Sequence, residues 1–227
     1  MAHQKALTDA DRDAISAAVA AAELRSAGEI VTIVTERSDR YADVALVWSA
    51  FVAFLALSVL ALFPDFYLGL IDQVLGNWET LWTPRRIFAL AVLVATIKFT
   101  AMWLLQLWAP LRLFLVPGPL KHARVRHRAI TLFRVGAERR TTGRTGILIY
   151  LSEAEHRAEI VADEAIASQV RPEEWGEAMA AMLAQIKEGR TAAGMVAAIG
   201  KVGDVLARHL PRMADDKNEL PDRVIEV

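Results

Sequence analysis

The chain has 227 residues, of which 54% are hydrophobic, above the roughly 45–50% usual in soluble proteins, and the excess is local, which excludes an ordinary soluble composition. It contains no cysteine, so disulfides, thiolate metal sites, iron–sulfur clusters and cysteine nucleophiles are all excluded. The formal net charge of -1 conceals a segregation: residues 112–144 carry 9 basic and 1 acidic side chains, whereas residues 145–227 carry 9 and 15.

Thr8-Asp9-Ala10-Asp11 resembles a capping box with Asp in place of Glu, and it opens a helix whose apolar face is Ile15, Ala18, Val19 and Ala22, closed by Gly28. Glu29 to Thr35 alternates and is β-branched, the pattern of a strand. The chain then turns apolar. Val44 to Phe63 holds twenty residues without a charge, which at about 1.5 Å per residue spans a hydrocarbon core of roughly 30 Å. A second apolar run, Ile87 to Trp108, is interrupted only by Lys98 and Gln106, and aromatic residues gather at the ends of both runs. Neither is a cleaved targeting segment, because the first lies too far from the N-terminus and no small-residue cleavage site follows a basic start.

Arg37 and Arg40 precede the first run, and Arg112, Lys121, Arg124, Arg126 and Arg128 follow the second, while the intervening loop carries Asp65, Asp72 and Glu79. The positive-inside rule therefore puts both termini in the cytoplasm of a bacterial-type inner membrane, with two spans. In the outer loop Tyr67, Ile71, Val74, Trp78 and Leu81 recur at helical spacing, as in a helix lying in the interface or packed on the spans. Lys98 sits near the middle of the second span, at a cost of about 2.5–3.5 kcal/mol. It reads as a snorkelling lysine offset by its apolar neighbours; an ion relay, or a partner for an acidic residue of another chain, are the functional alternatives.

Beyond the spans Pro117-Gly118-Pro119 breaks the helix, and a basic helix runs from about Lys121 to Arg139. Thr142-Gly143-Arg144 turns the chain into an apolar strand, Thr145 to Leu151. Ser152 to His156 forms a turn, and Arg157 to Asp163 alternates as the second strand of a hairpin. Pro172 opens a helix with Trp175, Met179, Met182, Leu183 and Ile186 on one face, and Gly189 ends it. Thr191 caps a last helix with Met195, Val196, Ile199, Val202, Val205 and Leu206 inward, and from Pro211 the sequence is polar and mobile. A lone strand at 29–35 needs backbone partners. Two spans return the chain to its starting side, so residues 1–43 and 112–210 are expected to form one α/β domain of two or three layers. A membrane hairpin at 44–111 interrupts it, residues 29–35 pair with 145–151, and 211–227 form a mobile tail.

No phosphate-binding glycine loop, zinc-protease helix, nucleophile elbow or calcium loop occurs. His122 and His127 are five apart, off the four-residue spacing of a helical metal pair. Two constellations remain. Lys121, Arg124, Arg126 and Arg128 suit anionic lipid headgroups, at about 1 kcal/mol each near such a surface. Nucleic acid is disfavoured because no aromatic stacking pattern accompanies the charge. Glu159, Asp163 and Glu164 at the exit of the last strand, with Arg144 before its partner, suit a cation or acid–base work, and equally suit ordinary solvated charge.

At several of these places the chain resembles the TPM domain family, particularly its membrane-embedded bacterial members. The matching text is Leu7-Thr8-Asp9, Gly28-Glu29-Ile30-Val31, His127-Arg128-Ala129, Leu132-Phe133, Gly136, Arg144 to Ile149, Glu159 to Asp163, and Trp175. The resemblance implies a three-layer α/β/α sandwich, here interrupted by a two-helix transmembrane hairpin. It further implies either an accessory factor for a membrane protein complex or, as the competing reading, a metal-assisted, acid-phosphatase-like phosphohydrolase with calcium as the implied metal. Where phosphatase-type relatives carry a glycine-rich acidic turn, this chain has Asp163-Glu164-Ala165-Ile166-Ala167-Ser168, and only Asp163 matches. The favoured expectation is thus an interaction module with membrane lipids and a membrane protein as partners, and no cofactor.

Overall fold

A computed structural model describes residues 7–75, 82–136, 145–212 and 222–227. In chain order the elements are α1 (Asp9–Glu23), β1 (Glu29–Thr35), α2 (Ala42–Leu62), α3 (Pro64–Leu75), α4 (Pro84–Leu105), α5 (Ala109–Leu115), α6 (Gly118–Gly136), β2 (Gly146–Ser152), β3 (Arg157–Ala162), α7 (Glu164–Ala167), α8 (Pro172–Lys187), α9 (Thr191–His209) and β4 (Ile225–Glu226). The chain divides into two compact units, one made of residues 1–39 and 118–227, the other of residues 40–117.

The first unit is a helix-rich α/β fold around a four-stranded sheet of order β3-β2-β1-β4. β1 and β2 run parallel in the register Glu29↔Gly146 to Thr35↔Ser152, so segments more than a hundred residues apart form the centre of the sheet. β3 returns antiparallel to β2. Side chains alternate across the sheet as strand geometry requires. Ile30, Val34, Ile147, Ile149 and Leu151 face a core built with Ile15 and Val19 of α1, Met182 of α8, and Met195 and Ile199 of α9. Val31, Ile33, Leu148 and Tyr150 face the other way, against Val125, Ala129 and Phe133 of α6. Every residue of β1 and β2 is buried, which explains why both read as nearly continuous apolar runs.

Local signals fix the helix ends. The capping box at Thr8 is present with both of its bonds: the Thr8 hydroxyl accepts from Asp11 N, and Asp11 Oδ2 accepts from Thr8 N at 2.9 Å. Pro172 occupies the first turn of α8, and Gly189 leaves it at a positive φ of 75°. α9 crosses α1 and α8 closely: a Cβ on Gly203 would stand 2.7 Å from Ala22 Cβ, and one on Gly194 2.9 Å from Met182 O. Thr191 is not the cap expected of it. It lies inside α9, after Arg190, where its buried hydroxyl reaches Glu153 Oε1 at 3.5 Å.

The expectation of a mobile tail from 211 onward is corrected at its end. Ile225–Glu226 pairs parallel with Ile33 and Val34, Val227 N donates to Val34 O, and Thr35 Oγ1 donates to Val227 O. The physical reason is the open edge of β1, whose backbone groups need partners that a short β-capable segment supplies.

In the second unit α2 and α4 pack antiparallel. Their seam is polar at one end, where Gln106 Nε2 donates to Ala45 O (3.1 Å), Ser49 Oγ (3.3 Å) and Met102 O (3.1 Å), and Trp48 Nε1 donates to Leu115 O. Thr83 caps α4, so that helix begins before Ile87, and it ends at Leu105, capped by Gln106, rather than at Trp108. Both α2 and α4 are long and apolar enough to cross a membrane. Large apolar side chains project outward along them, with Phe54 69% and Phe88 70% exposed. Of the amphipathic stripe, Tyr67, Ile71 and Val74 lie on α3, whereas Trp78 and Leu81 lie outside the described residues.

Candidate functional site

Glu159 has the same parity on β3 as Val161, so its side chain turns toward α6. The four-residue spacing of His122 and Arg126 puts both over it on one helical face. His122 Nδ1 lies 3.3 Å from Glu159 Oε1 and Arg126 Nη1 3.8 Å from Oε2. Burial raises the Glu159 carboxyl above the usual carboxylate range, while His122, Arg126 and Arg157 pull it back down. Beside it a groove of about 340 Å³ runs along β3, with His122 on one side and Trp175, Gly176, Met179 and Leu183 of α8 on the other.

The remaining members of the expected acidic constellation do different things. Asp163 Oδ2 accepts from Gly146 N at 3.0 Å, Asp163 N donates to Gly146 O at 3.0 Å, and Asp163 O accepts from Ile166 N and Ala167 N. Asp163 therefore closes the end of the β2–β3 ladder and starts α7. Glu164 is exposed in the first turn of that short helix. Four residues of strand separate Glu159 from Asp163, about 13 Å, and Arg144 lies outside the described residues. Calcium is the metal the family resemblance implies, and these donors do not fit it. One Asp163 oxygen is engaged by an amide, and the Glu159 carboxylate faces an arginine and a histidine instead of further oxygen ligands. Among the described residues no group of three or more His, Asp or Glu side chains is placed to hold a metal ion.

The basic face of α6 is partly spent within its own unit. Arg124 Nη1 bonds Asp39 Oδ2 at 2.8 Å, Arg126 faces Glu159, and the charge of Arg128 acts on the Tyr150 hydroxyl. Lys121 forms no ion pair among the described residues. In the other unit Lys98 borders an apolar cavity of about 360 Å³ with Val52, Leu55, Val59, Tyr67 and Ile71, and it too has no ion pair among the described residues.

A polar network at the carboxyl ends of β1 and β2 escapes a motif search. Ser38 Oγ shares a bond with Tyr150 OH at 2.8 Å and donates to Ser152 Oγ at 2.9 Å; Ser152 Oγ donates to Glu155, whose other oxygen accepts from Ser38 N at 3.1 Å. Burial raises the Tyr150 hydroxyl above its ordinary range, against the lowering effect of the Ser38 bond. Ser152 is fully buried and each of these groups is satisfied, so the network clamps the exit of β1 to the hairpin turn and presents no exposed nucleophile. Its only trace in the sequence is the Ser152-x-x-Glu155 spacing.

No protein-family model matches this chain, and no curated protein does. Among solved structures it is similar to the BA42 protein of the psychrophilic bacterium Bizionia argentinensis, determined by NMR, at 18% identity, a TM-score of 0.57, and coverage of 100% of this chain and 99% of that one. At that identity the likeness concerns the fold alone.

Proposed function

We propose that the chain is a two-span membrane protein whose TPM-like α/β unit, a three-layer α/β/α sandwich interrupted by the α2–α4 hairpin, serves in the cytoplasm as an accessory module for a membrane protein complex. The observation that carries the membrane part is the outward apolar surface of α2 and α4, combined with a polar seam confined to one end. In water such surface is costly, at roughly 25 cal/mol per Å²; in a bilayer it is the ordinary lipid face. Loop charges then orient the hairpin with both termini inside, and Lys121 and Arg128 remain available for anionic headgroups. The interaction role is supported by Glu159 and Asp163 being engaged in ion pairs and strand closure, and by an open groove along β3.

Because the chain lacks cysteine, single cysteines report topology cleanly. An impermeant thiol reagent on intact cells should label Asn77→Cys and spare Asn218→Cys; labelling of Asn218→Cys alone would reverse the orientation. The phosphohydrolase reading makes a separate demand, that phosphomonoester hydrolysis by the purified protein be abolished in Asp163→Asn, a change that keeps an acceptor for Gly146 N.

A further inference from the structure

The two edges of the sheet end in β4 and β3, and among the described residues no strand pairs with the outer side of β3. Asp163 N bonds Gly146 O, which identifies the odd-numbered residues of β3 as those bonded to β2. Alternation in an antiparallel ladder then turns the N–H and C=O groups of Ala158, Ile160 and Ala162 outward. Among the described residues none of these groups has a hydrogen-bond partner. Unpaired edges are usually blunted by proline, lysine or a bulge. The segment Ala158-Glu159-Ile160-Val161-Ala162 has no proline, lysine or bulge and its register with β2 is unbroken; its one charge, Glu159, is turned toward α6 and faces His122 and Arg126.

The groove described above lies over this edge. On the side shared with Ala158 and Ile160 its wall is apolar, formed by Trp175, Met179 and Leu183; on the other side Glu159 stands with His122 and Arg157, and Arg126 lies 3.8 Å from its carboxylate, so two guanidinium groups face one acid. A strand added here would direct alternate side chains to these two walls. We propose that the β3 edge is a docking site for an extended segment of a partner protein that alternates apolar and acidic residues, bound by strand addition. The proposal rests on the module reading above and names the class of partner.

Gly176 supplies a clean test. A Cβ there meets nothing within 4 Å, and Gly176 lines the groove, so Gly176→Trp places an indole at the groove from an open position. The full-length protein in detergent micelles is titrated with a fluorescent octapeptide of alternating valine and glutamate, and with its valine–lysine counterpart. The acidic peptide should bind at least tenfold more tightly than the basic one and at least tenfold more weakly to Gly176→Trp. It should also slow amide exchange at Ala158, Ile160 and Ala162. Equal binding of the two peptides, binding indifferent to Gly176→Trp, or no binding at all would overturn the proposal. So would protection of the same amides that grows with protein concentration in the absence of peptide, which would make a second copy of the chain the occupant. If a membrane complex crosslinks equally to wild type and Gly176→Trp in native membranes, the edge proposal fails while the module reading stands; if none crosslinks to either, the module reading fails.

Discussion

The two edges of the sheet meet the same requirement in opposite ways. On the β1 side the outward backbone groups are covered from within: Glu23 Oε1 accepts from Ile30 N at 2.8 Å, and the tail strand β4 takes over at Ile33 and Val34. On the β3 side the equivalent groups of Ala158, Ile160 and Ala162 have no partner among the described residues, and Ala158 and Ile160 line a groove. The cover on the first edge has a cost. Burial pushes the Glu23 carboxyl up to about 8 despite the Ile30 amide, with Glu29 and Asp222 adding to the rise. One edge is closed by a buried carboxyl whose pKa burial raises, while the other is uncovered among the described residues, so the two are different surfaces. Closure is structural; the open side is the one proposed to receive a partner strand.

The largest effect expected from this contrast comes from proline within β3. Val161→Pro removes a ladder bond to β2 and leaves a buried carbonyl without its donor, which should cost up to about 3 kcal/mol. Ala158→Pro removes only an outward N–H and should cost below about 1 kcal/mol. Equal losses in thermal unfolding would mean that the outer side of β3 is bonded after all. Deleting residues 222–227 uncovers Val34 O and the Thr35 hydroxyl; it should cost about 2 kcal/mol and promote association through β1, read by denaturant unfolding and by light scattering.

Glu23 gives a smaller, pH-dependent effect. Its folded pKa, about 8, lies above its ordinary value of 4.5, so the folded state holds the proton more tightly. The stability it contributes is complete below pH 4.5, falls as pH rises toward about 8, and is flat beyond. Glu23→Gln should therefore match wild type at pH 4 and exceed it at pH 8 by about 1 kcal/mol, a figure discounted for solvent screening. A variant less stable at pH 8 would contradict a protonated Glu23. The smallest effect belongs to the exposed pair of Arg12 with Glu226, whose Nε–Oε1 distance is 2.6 Å. Arg12→Ala should shift the unfolding temperature slightly at low salt and not at all at high salt.

Much of the fold was legible because strands and spans leave strong composition signals. Glu29–Thr35 is bounded in the structure as the alternation indicates; the first strand of the hairpin is displaced by one residue, from Thr145–Leu151 to Gly146–Ser152, and the second starts at Arg157 as expected and ends at Ala162. β4 was not legible: two residues carry no periodicity, and they become a strand only because a folded edge offers partners. Thr191 misled because a hydroxyl beside a helix start is as readily a buried contact as a cap. In the candidate site the sequence pointed to Glu159, but not to its true neighbours. His122 and Arg126 lie more than thirty residues away, and only the packing of α6 on the sheet brings them to it. Proximity in sequence grouped Asp163 and Glu164 with Glu159, whereas an extended strand holds them apart.

The central claim is that two sequence segments separated by an apolar hairpin build one sheet with one closed and one open edge. The Asp39–Arg124 pair and the Arg157 bond to Gly118 O tie both ends of the interruption to the α/β unit, so a flexible glycine–serine linker is the natural replacement for residues 40–117. Residue-resolved amide exchange on that soluble variant is the most direct measurement. Protection throughout β1 and β2, at Ile30 and at Val227, with rapid exchange at Ala158 and Ile160, is the result expected. Free exchange in Glu29–Thr35 while Gly146–Ser152 stays protected would contradict it.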